Sequence, residues 1–238
     1  MLAGATLWSA PLVARAGSFQ VSPVLVSVAT FGDVAVTNTT SVTMRFSVSG
    51  FGWTQTPSEK HKIAPSDKLV YFPQVFTLAP GATQRVRVGM SDRTGPVEHA
   101  FRLYIAELPP FNPLQLKGQA LTLLSRVDIP VFQPPTDPAV AVPGIERATE
   151  HDGNLGVLLA NDGNVHTMPS QVGVTGRDAD GKAVWSGSTD VWYVLAKSSQ
   201  LATMPIAASA CKRVRSFDIT WRAEDRTVAR TLANGTCT

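Results

Sequence analysis

The stretch that decides the fold is Glu98–Pro135, EHAFRLYIAELPPFNPLQLKGQALTLLSRVDIPVFQPP. It reads as two strands joined by a Pro-rich polar loop. In the first, Phe101, Leu103 and Ile105 alternate with other residues until Pro109-Pro110 stops the run. The second is long, with Leu121, Leu123, Val127, Ile129 and Val131 on one parity and Thr122, Leu124, Arg126, Asp128 and Phe132 on the other. Successive side chains of a strand point to opposite faces, so each parity marks one face of a sheet. The aliphatic content exceeds what a short edge strand needs, because exposed edges are usually short, charged or broken. Two readings follow: a core strand covered by the protein itself, or a strand offered to a partner by β-augmentation.

Working outward, strand-like runs recur with turn signals between them. Phe19–Val28 carries Pro23, which suits an edge. Asp33–Asn38 and Ser41–Val48 follow, then a turn at Ser49-Gly50 and a strand around Trp53. Lys68–Phe72, Val75–Leu78 and Thr83–Met90 come next, the last two separated by the turn Ala79-Pro80-Gly81-Ala82. Short strands at this spacing indicate an immunoglobulin-like sandwich. Gln133–Gly144 (QPPTDPAVAVPG) has four prolines and no periodicity, which marks a stiff connector and a domain boundary. Beyond it, Leu155–Asn161, Gln171–Arg177, Lys182–Ser186 and Trp192–Leu195 repeat the same style. The fold class is therefore all-β, with two β-sandwich domains, residues 17–135 and 136–238 of the 238.

Residues 1–16, MLAGATLWSAPLVARA, are small and apolar and end in an A-x-A-like sequence, as an export signal peptide does. No later run has about 18 consecutive apolar residues, so a helical integral membrane protein is not expected. Cys211 and Cys237 flank two strand-like runs, Val214–Arg222 and Thr227–Leu232, and stand equidistant from Glu224. That arrangement fits a disulfide closing a hairpin in an oxidising compartment, the alternative being two unlinked thiols.

Charge is balanced, with ten Lys and Arg against seven Asp and Glu across Ser18–Pro134 and ten against eleven after it. No basic cluster is interleaved with aromatics, so a nucleic-acid partner is not expected. The four histidines lack metal-ligand spacing, and no metal site is assigned. Asp178-Ala179-Asp180-Gly181 opens like a calcium loop but lacks the downstream bidentate Glu, and an Asp-Gly turn explains it. No nucleophile elbow, activated cysteine or phosphate loop is present. The chain reads as a binding protein, not an enzyme.

Three segments resemble the PapD-like periplasmic pilus-assembly chaperones of the chaperone–usher pathway. Pro65–Met90 (PSDKLVYFPQVFTLAPGATQRVRVGM), Ala100–Pro110 (AFRLYIAELPP) and Leu121–Phe132, ending in Ile129-Pro130-Val131-Phe132, match that family's motifs in order and spacing. The I-P-V-F ending is similar to the archaic or alternative branch. The resemblance implies a boomerang of two immunoglobulin-like domains in the periplasm, with pilin subunits and an outer-membrane usher as partners and no cofactor. It implies donor-strand complementation, in which Leu121, Leu123, Ser125 and Val127 enter a subunit's groove beside the neighbouring strand residues Phe101, Leu103 and Ile105. The family's carboxylate-anchoring Arg and Lys positions read Leu25 and Pro130 here. Arg126, on the parity of Pro130, is the substitute expected, with Arg102 second. Glu98 matches an interdomain acid of the family, but the partner Arg position reads Pro134. The competing reading is a secreted structural or adhesive β-sandwich subunit.

Overall fold

Alternation of apolar and polar residues becomes ten strands in the first half of the computed structural model, which describes residues 19–92, 95–109, 123–223 and 226–233. They are β1 (Phe19–Ser22), β2 (Val26–Ser27), β3 (Phe31–Asn38), β4 (Met44–Thr56), β5 (Glu59–Pro65), β6 (Leu69–Phe72), β7 (Val75–Leu78), β8 (Thr83–Met90), β9 (His99–Leu108) and β10 (Arg126–Gln133). One sheet has the order β1-β3-β8-β6. The other has the order β2-β10-β9-β4-β5, with β7 paired to β4. The chain crosses between sheets at Pro23, where a missing N–H ends the ladder. Val34, Val36, Val86 and Val88 meet Phe46, Leu103, Ile105, Ile129 and Val131 in the core between the sheets. Phe46 is its aromatic centre, 4.9 Å from Phe19 and 5.3 Å from Phe76 between ring centroids.

Several elements differ from the sequence reading. Among the described residues the long strand expected up to Phe132 begins at Arg126, and the one expected over Phe19–Val28 is split into β1 and β2, in separate sheets. The break expected at Ser49-Gly50 is absent, and β4 runs unbroken through it. Gly50 is there for close approach: a Cβ would lie 2.6 Å from the Tyr71 ring and 2.8 Å from Leu69. β5, EKHKIAP, was not anticipated, because an exposed edge strand buries no face and shows no apolar period. The turn at Ala79–Ala82 is as expected, with Gly81 at φ +73° and Ala82 N–H donating to Ala79 O at 3.1 Å.

In the second half, β11 (Pro143–His151), β12 (Asn154–Asn161) and β15 (Ser198–Pro205) form one sheet. β13 (Ser170–Arg177), β14 (Ala183–Val191), β16 (Ser216–Ala223) and β17 (Arg226–Ala233) form the other, in the order β14-β13-β16-β17. Leu155, Val157 and Leu159 pack on Val172, Val174, Phe217, Ile219 and Trp221. A single helical turn, α1 (Ala208–Cys211), ends on the buried Cys211. Asp178–Gly181 is a hairpin turn, in which Asp178 Oδ1 accepts from the amides of Asp180 and Lys182. The strand expected at Trp192–Leu195 reduces to one bridge between Val194 and Thr167. β15 was not anticipated: its inward residues Gln200, Ala202 and Met204 carry too little bulk to stand out.

Each half uses a buried asparagine at a strand end in the same way. Asn38 donates to the carbonyls of Val42, Leu78 and Ala79 and accepts from Thr40. Asn161 donates to the carbonyls of Val165, Val194 and Leu195 and accepts from the amides of Val142 and Gly163. Such irregular backbone can be buried only if its polar groups are paired, and these amides pair it.

A third apolar cluster joins the halves: Trp53 and Phe132 from the first, Tyr193 and Leu195 from the second. Gln55 clamps the same place, donating to Tyr193 O at 2.8 Å and accepting from Leu195 N–H at 2.9 Å. Glu98 accepts from the backbone N–H of His166 at 3.0 Å and pairs with its Nδ1 at 2.8 Å. The interdomain acid thus has a histidine partner from the second half, where the family pattern pointed to position 134. The imidazole stacks on Phe132, with centroids 3.7 Å apart.

Candidate functional site

β9 and β10 pair antiparallel, placing Val127 opposite Ile105, Ile129 opposite Leu103 and Val131 opposite Phe101. Phe101, Leu103 and Ile105 are buried in the protein's own core. This corrects the expectation that they face a subunit: on a strand of period 2, the parity that meets Ile129 and Val131 points inward. Val127 is half-buried against the same core. Upstream on its parity, Ser125 and Leu123 are exposed, Leu123 at 80 %. Leu121 lies outside the described residues. Ser125 still touches β9, its carbonyl accepting from Glu107 N–H at 2.9 Å. On the other edge of β10, β2 pairs only with Val131 and Phe132. Among the described residues, no strand pairs with that edge from Arg126 to Pro130.

The opposite parity forms a polar site on the face of the sheet turned towards the second half. Arg102 and Tyr104 from β9, Arg126 and Asp128 from β10, Trp53 from β4 and His61 from β5 meet there. The Arg102 guanidinium carbon lies over the Trp53 ring, 3.5 Å from its centroid, a cation–π contact. Its Nη1 is 3.5 Å from Asp128 Oδ1, and its buried Nε–H has no hydrogen-bond partner. Burial lowers the Arg102 pKa, against the opposing charge of Asp128. His61 Nε2 is 2.9 Å from Tyr104 Oη and 3.6 Å from Asp128 Oδ2. Burial also lowers the His61 pKa, with the Arg102 charge adding to the effect.

Of the two anchor candidates, Arg102 is enclosed within this site and Arg126 is exposed, its guanidinium 4.4 Å from the Tyr104 ring centroid. Leu25 packs on the Trp53 cluster, and Pro130 is buried opposite Arg102. Both usual anchor positions are therefore apolar in space as well as in sequence. Trp53, His61, Tyr104 and Asp128 were not singled out beforehand. They come from four strands, and no local spacing announces them.

Residues 29–139 match the family model described as "Pili and flagellar-assembly chaperone, PapD N-terminal domain". A search of the curated proteins finds no match. Among solved structures, the chain is similar to the CsuC–CsuE chaperone–tip adhesion subunit pre-assembly complex from archaic chaperone–usher Csu pili of Acinetobacter baumannii. That match has 16% identity and a TM-score of 0.62, over 91% of this chain and 97% of that one. It is also similar to the Salmonella enterica SafA pilin in complex with the SafB chaperone, at 15% identity and TM-score 0.56, over 92% and 99% of the two chains. The class 5 fimbriae chaperone CfaA is similar at 12% identity and TM-score 0.56, over 90% and 98%. The fold is the two-domain β fold of PapD-like proteins. Within it, residues 29–139 are similar to the N-terminal domain of the pilus-assembly chaperones.

Proposed function

We propose that the chain works in the periplasm, lending Leu121–Val127 to pilin subunits by donor-strand complementation and passing them to an outer-membrane usher. The observation that carries this is Leu123, which stands exposed on the parity of Val127, Ile129 and Val131 next to an open strand edge. Backbone pairing along that edge gives generic affinity, and aliphatic side chains at every second position fill a partner's pockets. Ser125 leaves one such pocket under-filled. Arg102 is the anchor for a subunit's terminal carboxylate, since a buried guanidinium with a free N–H favours a bidentate anion. The exported chain begins after residue 16, and residues 17–135 and 136–238 are its two domains.

The test is co-expression with a pilin subunit, comparing the chain with its Leu121→Asp/Leu123→Asp variant. Burying one Leu side chain is worth about 1.5–3 kcal/mol. Losing two should therefore cut recovery of the 1:1 complex by about a hundredfold or more. Leu123 contributes nothing to the buried core, so Leu123→Asp alone should leave the melting temperature unchanged. Undiminished recovery would rule out the donated strand.

A Cys211–Cys237 disulfide is part of the same proposal. No cysteine among the described residues is free, and Cys237 is the only other one in the chain. β16 and β17 form the hairpin expected between the two cysteines. Thiol titration of unfolded, unreduced protein should find no free thiol; two thiols would reject the bond.

A further inference from the structure

We propose that Asp128 is a built-in stand-in for the ligand's carboxylate: it occupies Arg102 in the free protein and must be displaced before a terminal carboxylate can bind. This rests on the reading of Arg102 as the anchor. A guanidinium has five N–H donors, and one left unpaired in a buried place is costly. Here the Asp128 contact is a single one at 3.5 Å, at the limit of a hydrogen bond, while Nε–H is buried with no partner. The pair is therefore under-satisfied. Asp128 offsets part of the penalty of an isolated buried charge but does not hold the guanidinium in the two-pronged geometry that a carboxylate can take.

Exposure sets the order of events. The Arg102 side chain is 5 % exposed and that of Asp128 is 35 %, so an incoming anion meets Asp128 before it can pair with the guanidinium. Asp128 has a second partner to receive it. Its Oδ2 already lies 3.6 Å from His61 Nε2, which Tyr104 Oη holds at 2.9 Å. The Trp53 ring under the guanidinium keeps Arg102 in place during the exchange. Asp128 thereby sets specificity: a full carboxylate can compete with it, whereas a neutral amide or a side-chain hydroxyl cannot.

The experiment follows the arginine Nε–Hε resonances of the full chain by ¹⁵N NMR during titration with sodium propionate. Sodium chloride at equal ionic strength and propionamide serve as controls. One resonance, missing from Arg102→Met, should move with propionate and with neither control. In Asp128→Asn the half-saturating propionate concentration should fall about tenfold, the worth of one hydrogen bond to a charged group. In His61→Gln, which removes the receiving partner, it should rise; this second variant keeps the test intact should Asp128→Asn lose its dispersed spectrum. Propionate binding that is unchanged or weaker in Asp128→Asn would overturn the stand-in role alone. No propionate effect in any of the proteins would overturn the Arg102 anchor as well. Both outcomes are separate from the Leu121/Leu123 co-expression result.

Discussion

Phe132→Ala is expected to lower the unfolding free energy by about 3–5 kcal/mol, the usual cost of truncating a buried aromatic ring. Phe132 is 1 % exposed and stands where the two halves meet. Its ring stacks on His166 at 3.7 Å and lies 5.4 Å from Tyr193 and 6.1 Å from Trp53. Truncation removes the shared surface of three rings and leaves a void that a sheet backbone closes poorly. The effect should reach the polar site, because Trp53 is also the shelf on which the Arg102 guanidinium rests. Urea unfolding followed by tryptophan fluorescence measures the loss. A loss below about 1 kcal/mol, less than even a typical Ile→Val truncation can cost, would show that the ring cluster contributes little to joining the halves.

Asn161→Ala is the second large effect, expected at about 3 kcal/mol or more, since each buried polar group left unpaired costs about 1–3 kcal/mol. The side chain satisfies the carbonyls of Val165, Val194 and Leu195 and the amides of Val142 and Gly163. Alanine supplies none of these bonds, and the segment they hold is irregular and cannot pair with itself. Leu195 is the residue whose N–H meets Gln55 and whose side chain joins the Trp53 cluster. A fault at Asn161 should therefore loosen the contact between halves as well as the second sandwich. Chemical denaturation gives the stability change, and hydrogen exchange at the Leu195 amide gives the coupling. Unchanged exchange at Leu195 would separate the two roles.

Much of this architecture was legible from residue order alone. Alternation located β3, β7, β8, β9, β13 and the β16–β17 hairpin, because a strand with one buried face must write its burial into every second residue. Gly81 and the Asp178–Gly181 segment declared their turns through backbone chemistry that needs no tertiary context. Where a residue type serves two purposes, the sequence was ambiguous. Gly50 read as a turn because glycine permits one, yet it lies mid-strand to admit the Tyr71 ring. β5 escaped because an edge strand leaves no apolar record.

The Glu98–Pro135 stretch shows the division most clearly. Its parity alone predicted one shared face for Leu121, Leu123, Val127, Ile129 and Val131, since side-chain direction follows from position along a strand, and within β10 Val127, Ile129 and Val131 do share one. Which of them the protein keeps was decided by tertiary structure: the core ends where the sandwich ends, so Ile129 and Val131 are covered and Leu123 is not. The same holds for the other face. Arg102 and Asp128 are 26 residues apart, and only the β9–β10 register, with Trp53 and His61 arriving from β4 and β5, makes them one site. Contacts between strands depend on pairing and layer order, which no local pattern of residues contains.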